Sequence, residues 1–240
     1  MRALIVAIVV LTRVPVPVYG DITDEDLRRG APFYPLVGLG VGLILAVVWW
    51  IFGGLPAWLG ATLTVTAGVF LTGALHIDGL ADTADAFGAG GDAERQLRIL
   101  RDSMLGTYGV VAVVLSLLLQ VGAVSALTGA SGLIVAHVVS RAVLTTLVAS
   151  ARPAREDGLL ARMGGRLSGK GLALAWLFSG IIGLWCLGWW FFPALLAVTG
   201  TSGLISWHAR RRIGGLTGDV LGAAQQVALV VVLIVATLAG

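Results

Sequence analysis

Apolar residues in this chain run in long uninterrupted stretches, and the polar residues gather in the gaps between them. A bilayer core is crossed by about 20 apolar residues in a helix. Stretches of this kind run from Phe33 to Gly53, Ala57 to Leu75, Thr107 to Leu127, Ser131 to Ser150, Gly171 to Phe192 and Val220 to Leu238, with a shorter one from Pro193 to Trp207. They predict an all-α polytopic membrane protein of about seven transmembrane helices. Met1 to Leu11 is too short to span and reads as a short interfacial or re-entrant helix. Strands of a membrane barrel alternate apolar and polar positions, so unbroken runs argue against a barrel.

The charged residues fall in four blocks, Arg2 to Arg29, Asp78 to Asp102, Arg152 to Lys170 and Arg210 to Asp219. Arg141 alone lies outside them, within the fourth run. The connections around Gly54, Gly129 and Phe192 carry no charge. Seven spans put all four charged blocks on one side, and Lys and Arg mark the cytoplasmic side. The expected arrangement is therefore one integral membrane domain over 1–240, with cytoplasmic segments of about 1–32, 76–106, 151–170 and 208–219 and the C-terminus outside. The membrane expected is a bacterial-type inner (plasma) membrane.

Composition agrees. Apolar residues make up 58% and charged residues 12%, against ~25% charged in an ordinary soluble domain. Mean hydropathy is +0.95. No soluble fold of this size covers so much apolar surface, which excludes a soluble globular domain and a disordered chain. The net charge of +3 follows from orientation, and no basic stripe with interleaved aromatics points to nucleic acid. The single cysteine, Cys186, excludes a disulfide framework and a Cys-type zinc site. The first apolar run leads into Thr12-Arg13-Val14-Pro15-Val16-Pro17, which is no signal-peptide cleavage site.

The chemistry concentrates in the second charged block. Asp78, Asp82 and Asp85 are spaced i, i+4, i+7 and share one stripe of a helix. Three carboxylates on one stripe repel, so either their pKa values rise or a cation holds them. Hard oxygen ligands at a membrane border suit Mg²⁺, with Mn²⁺ as the alternative, and Mg²⁺ completes its shell with waters and substrate phosphates. A solvated helix end is the bland alternative, but no basic residue follows until Arg95. Arg95, Arg98 and Arg101 then repeat at i, i+3, i+6, a basic stripe that reads as a phosphate clamp or as flanking charge near lipid headgroups. Asp102 precedes the small-residue turn Ser103 to Gly109, which opens the third span with Thr107 and is a natural anion site or cap.

Three further features stand out. Arg141 sits mid-span in His137-Val-Val-Ser140-Arg141, where a charge faces a cavity or partner. Ala154-Arg155-Glu156-Asp157-Gly158 reads, taken alone, as a solvated loop. Gly214-Gly215-Leu216-Thr217-Gly218-Asp219 is Gly-rich and enters the last span, where backbone N–H groups approach an anion or helices pack closely. An acidic stripe, an arginine stripe and Gly-rich turns on one face together suit a metal-bound polyphosphate, with an alcohol displacing a nucleoside monophosphate at one phosphorus.

At these residues the chain resembles the cobalamin synthase (adenosylcobinamide-GDP ribazoletransferase) family. The likeness is carried by Leu11-Thr-Arg13-Val-Pro15-Val-Pro17, Phe33-Tyr-Pro35-Leu-Val-Gly38, His76-Ile-Asp78-Gly-Leu-Ala-Asp82-Thr-Ala-Asp85, Arg101-Asp102-Ser103-Met-Leu-Gly106-Thr107-Tyr-Gly109, Ser140-Arg141, Ala154-Arg155-Glu156 and Gly214-Gly215-Leu-Thr217-Gly218-Asp219-Val-Leu-Gly222. The resemblance implies a Mg²⁺-dependent inner-membrane enzyme joining adenosylcobinamide-GDP to α-ribazole or its 5′-phosphate, with adenosylcobalamin (or its phosphate) and GMP as products. Mapped here, it implies Asp78 and Asp82 as catalytic, and Asp78, Asp82, Asp85 and Asp102 as metal ligands. It implies His76, Arg98, Arg101, Ser103, Thr107, Arg141, Arg155, Thr217 and Asp219 as substrate-binding. Assembly as a homo-oligomer, or with other enzymes of the same pathway, is left open. One departure stands out: the family usually carries glutamates just after the last Gly-rich motif, where this chain has Gln225, Gln226 and Leu229.

Two other readings compete. A CDP-alcohol phosphotransferase acting on a lipid alcohol has a similar acidic motif, but with Ala-Arg after Asp-Gly, whereas Ala81 is followed here by Asp82. An ion-coupled transporter predicts midplane acids and paired half-repeats, and neither pattern is visible.

Overall fold

The polar gaps and apolar runs resolve into twelve α-helices in a computed structural model, which describes residues 1–163 and 167–239. Gly164, Gly165 and Arg166 of the third charged block lie outside the described residues. In chain order the helices are α1 (Arg2–Leu11), α2 (Asp24–Gly30), α3 (Tyr34–Ile51), α4 (Ala57–Thr72), α5 (Leu75–Ala89) and α6 (Ala93–Ile99), then α7 (Thr107–Ala126), α8 (Ser131–Ser150), α9 (Leu159–Met163), α10 (Gly169–Leu187), α11 (Phe191–Ile213) and α12 (Gly218–Leu238). The all-α membrane fold expected from the hydropathy pattern is the one observed.

The seven expected spans do not each form a separate full-length helix. Five stretches are long and apolar enough to cross a membrane, or six if α4 and α5 together make one. Two features explain the difference. The second expected span ends at Gly73 (φ 62°) and Ala74 (φ 57°), both left-handed, and the chain there bends by 89°. Alanine enters this region only at a cost of about 1–2 kcal/mol, so the surrounding packing fixes the bend. The fifth and sixth expected spans follow one another as a helical stretch of 45 residues, Gly169–Ile213, which counts once by length although the chain folds back within it near the 3₁₀ turn at Gly188–Trp190. Within it, Trp176 of α10 donates its indole N–H to Thr146 Oγ1 at 2.8 Å, and Arg210 of α11 donates to the Ser150 carbonyl at 3.2 Å. Trp176, in the first half of α10, and the end of α11 thus both lie beside the last turns of α8, so the chain folds back between them.

The most buried helices, α8 and α12, pack on each other at the centre, with α3 and α10 against α8 and α11 against α12. α8 carries Ala, Ser and Thr and α12 carries Ala and Gly, small residues that let helices approach closely where no hydrophobic driving force acts between them. Beyond the bend, α5 lies outside the apolar spans and crosses the charged end of the bundle. Its Gly79 sits on the first turn of α12, and its Asp85 reaches the first turn of α7. A Cβ on Gly79 would lie 2.7 Å from the Asp219 carbonyl oxygen, so the contact admits only glycine. Gly79→Val is expected to cost about 1–3 kcal/mol through forced separation of α5 from α12. It is also expected to lower turnover, because Asp78 and Asp219 flank the wedge. Thermal melting and a turnover assay on one preparation check both effects.

Candidate active site at the charged end of the bundle

Three pieces of chain meet in a cleft of about 240 Å³. α5 contributes His76 and Asp78, the entry to α12 contributes Thr217 and Asp219, and the segment after α8 contributes Arg155 and Asp157. The last two pieces are tied by backbone. Ala154 N–H donates to the Leu216 carbonyl and Leu216 N–H donates to the Arg152 carbonyl, both at 2.8 Å. This parallel bridge, Pro153 to Leu216, carries Arg155 onto Asp219, with Nη2 and Oδ2 3.5 Å apart. Thr217 caps α12: its hydroxyl accepts from the Val220 N–H at 3.3 Å. The rest of the wall is apolar, with Leu11, Tyr34, Leu144, Leu160 and Met163 among its residues.

The polar groups of the cleft are incompletely satisfied. Arg155 Nη1 and Asp219 Oδ2 are buried without a hydrogen-bond partner. Buried polar groups are nearly always paired, so an orphaned donor and an orphaned acceptor in one cleft mark a place for a ligand. Asp78 is exposed where it lines the cleft. Asp82, one turn along α5, is half-buried and is not among the residues that line the cleft. Burial, then the like charges of Asp78, Asp219 and Asp85, push its carboxyl up to about 6, with Arg155 opposing them. The repulsion expected of the acidic stripe is present, and Asp219 from α12 adds to it.

The expected site residues separate into groups. His76, Asp78, Arg155, Thr217 and Asp219 converge on the cleft. Asp85 faces away from it. Its two oxygens accept from the Gly106 and Gly109 N–H groups, both at 2.8 Å, so Asp85 caps α7. Asp102 is exposed and accepts from the Met104 N–H at 3.0 Å, and Ser103 and Thr107 are exposed beside it. Arg98 pairs with Glu94 at 2.7 Å on the surface. Arg101 pairs with Asp157 at 2.9 Å and so reaches the cleft rim. Arg141 lines a separate interior cavity, which shares His76 with the cleft. The four aspartates expected to ligate metal do not gather at one point, and among the described residues no three His, Cys, Asp or Glu side chains converge as a metal cluster.

Two contributions were missed in the sequence. Asp157, 3.7 Å from Arg155 and hydrogen-bonded to Arg101, links the arginine stripe to the cleft. The apolar wall from α1, α3 and α9 was read only as an interfacial or re-entrant helix, a span and a loop. Neither has a local signal, since both depend on packing between distant segments.

Comparison with known proteins matches this arrangement to one family. The family model described as cobalamin-5-phosphate synthase matches residues 3–237. The chain is 40% identical over 236 residues to the adenosylcobinamide-GDP ribazoletransferase of Shewanella baltica (strain OS185), covering 95% of this chain and 90% of that protein. It is 38% identical over 245 residues to the protein of the same name from Shewanella sp. (strain W3-18-1), covering 98% and 94%. Against the Shewanella oneidensis protein of that name the identity is 37%, over 94% of this chain and 90% of the relative. No solved structure matches the chain. The motifs that meet in the cleft lie inside these matches, which run nearly end to end, and the chain belongs to the cobalamin-5-phosphate synthase family.

Proposed function

We propose that this chain is an adenosylcobinamide-GDP ribazoletransferase of a bacterial inner membrane, with its cleft on the cytoplasmic side and its C-terminus outside. The observation that carries the reading is the cleft itself. Asp78, Arg155 and Asp219 come together from three distant segments, and two of their atoms lack partners. The substrates are adenosylcobinamide-GDP and a ribazole, the two groups that the relatives' names carry, with α-ribazole or its 5′-phosphate as the acceptor we infer.

The donor set fits a divalent cation of the Mg²⁺ class. Mg²⁺ is held by one or two carboxylates together with substrate phosphates and waters, so a three-residue protein cage is not required. Asp78 and Asp219 would hold it, with Asp219 Oδ2 free of hydrogen bonds and 3.5 Å from Arg155 Nη2. When bound, it would neutralise the pyrophosphate and stabilise charge on the leaving phosphate.

The chain's own residues do the rest. Arg155, with one N–H unpartnered, receives a phosphate oxygen of the donor and holds the diphosphate against the carboxylates. Asp82, whose carboxyl is poised near neutrality, takes the proton of the ribazole hydroxyl. The hydroxyl oxygen forms a bond to the cobinamide-side phosphorus. The bond from that phosphorus to the bridging oxygen breaks, and GMP leaves with the bonding pair. Asp157 and Arg101 close the rim by their ion pair.

The test is a turnover assay on detergent-purified or lipid-reconstituted chain. Supplied with adenosylcobinamide-GDP, α-ribazole 5′-phosphate and Mg²⁺, it is expected to release GMP and form the cobalamin product in equal amounts. Chelation with EDTA is expected to abolish both, and Mn²⁺ to restore them at least in part. Turnover unchanged by EDTA would remove the cation from the mechanism. Release of CMP from a CDP-alcohol, with no GMP from adenosylcobinamide-GDP, would move the chain to lipid headgroup transfer.

A further inference from the structure

The cleft has two unlike walls. Every charged residue that lines it comes from α5, from residues 153–158 or from the entry to α12. Among the described residues, those that α1, α3, α8 and α9 place in it are all uncharged. Val10, Leu144, Val148, Leu159 and Leu160 belong to this second wall, and Tyr34 is its one polar side chain. The Tyr34 hydroxyl is already committed, donating to Met163 Sδ at 3.8 Å. Leu159 is 42% exposed and Val10 is half-buried, so the wall presents apolar surface that a ligand can cover. Apolar surface of this kind, beside a few convergent polar groups, is the usual lining of a small-molecule site.

The wall discriminates among the organic groups of the reaction proposed above, on which this inference rests. Three groups compete for it: the corrinoid, the guanine of the donor and the dimethylbenzimidazole of α-ribazole. At about 240 Å³ the cleft is smaller than the ~300–1,000 Å³ that encloses a drug-sized molecule, so the corrinoid stays outside it. Guanine carries a carbonyl, a ring N–H and an amino group. Against a wall with no free polar side chain these would lose water and gain no partner. Dimethylbenzimidazole in a nucleoside has no N–H donor and a single ring-nitrogen acceptor. Its two fused rings and two methyl groups are otherwise apolar, and their burial is favourable.

We propose that the wall built by α1, α3, α8 and α9 is the subsite for the base of the acceptor, and that Val10, Leu144 and Leu159 set its preference for an apolar bicyclic base. A base seated there places the acceptor ribose between the apolar and the charged walls, with its hydroxyl toward the diphosphate held by Arg155 and the carboxylates. Binding of the part that does not react thereby orients the part that does.

Two measurements test this, and only one needs turnover. In equilibrium dialysis against the full chain in detergent, with protein-free micelles as the blank, α-ribazole is expected to bind, and Leu159→Asn to weaken binding about 10-fold. Leu159 is exposed, so the substitution leaves the core intact. Should that variant not fold, Val10→Asn puts an amide on the same wall from α1, with the same loss expected. In turnover, Leu159→Asn is expected to raise KM for α-ribazole 5′-phosphate about 10-fold, and KM for adenosylcobinamide-GDP by less than about twofold. The parent chain is expected to prefer α-ribazole 5′-phosphate by about 10-fold in kcat/KM over the same riboside without the two methyl groups, and by more over the hypoxanthine riboside. The variant is expected to flatten both preferences. Binding of α-ribazole that the variants weaken, with no GMP released by the parent, would remove the proposed reaction and retain the subsite. No binding of α-ribazole above the micelle blank, equal binding by the parent and both variants, or a parent indifferent to the base would each overturn the subsite.

Discussion

Asp78→Asn is expected to release GMP about 10³-fold more slowly than the parent chain while melting at the same temperature or slightly above it. The large kinetic loss follows from position. Asp78 is the carboxylate that α5 presents to the cleft opposite Asp219 and Arg155. An amide in its place removes the negative charge that would hold a cation against the donor diphosphate, and it leaves the shape unchanged. The small thermal effect follows from the surroundings. Asp78 is exposed, and its charge repels that of Asp82. Neutralising it relieves repulsion on the stripe and leaves no buried partner stranded. Stopped turnover with retained stability separates a residue that acts on substrate from one that holds the fold. Near-normal GMP release from a folded Asp78→Asn would remove Asp78 from the mechanism. Asp157→Asn serves as the graded control. It breaks the exposed rim pair with Arg101 at 2.9 Å and is expected to weaken turnover far less, since exposed pairs contribute little.

Most of the architecture was legible because a bilayer imposes length and apolarity on each span. The run Ser131 to Ser150 is α8 residue for residue, and Thr107 to Leu127 overshoots α7 by one. The bend at Gly73–Ala74 was not legible, because a left-handed alanine has no sequence signature and the apolar run simply stops there. The reversal near Gly188–Trp190 was legible as an uncharged gap, expected a few residues later around Phe192, although the helix is nearly continuous through it. The site was half legible. Asp78 and Asp82 stand out by spacing on one helix, whereas the approach of Arg155 to Asp219 depends on two backbone hydrogen bonds between segments some 60 residues apart. That is why residues 154–158 read as a solvated loop when taken alone. The arginine stripe carried a real pattern, but Glu94 already satisfies Arg98 within one turn of helix, so regular spacing alone did not mark a clamp.

Asp85 shows most sharply how a shared stripe divides into different roles. By spacing it is equivalent to Asp78 and Asp82, yet its side chain is buried at 8% exposure and both oxygens are committed to the N–H groups that open α7. The first N–H groups of a helix have no partner within it, and Gly106 at the cap position has no side chain to offer. Asp85 supplies the cap from another helix, and the absence of side chains at Gly106 and Gly109 is what lets the carboxylate in, since a Cβ at either would collide with it. Asp85→Asn keeps the volume but offers one acceptor for two donors. It is therefore expected to leave a buried N–H unsatisfied and to cost about 2–4 kcal/mol, since the bonds lost are charge-assisted. For a chain of this length that lowers the melting midpoint by about 4–16 °C. Activity is expected to fall in proportion to the folded fraction, and to recover when the assay is run well below the new midpoint. Asp85→Ala, which strands both N–H groups, is expected to be worse in melting. The contrast with Asp78 is the discriminating measurement. Asp85→Asn with an unchanged midpoint and no turnover would assign Asp85 to the reacting groups, whereas a large thermal shift with turnover preserved in the cold assigns it to the joint between α5 and α7. That joint fixes where along the charged end of the bundle α5 lies, and so where Asp78 meets Arg155 and Asp219.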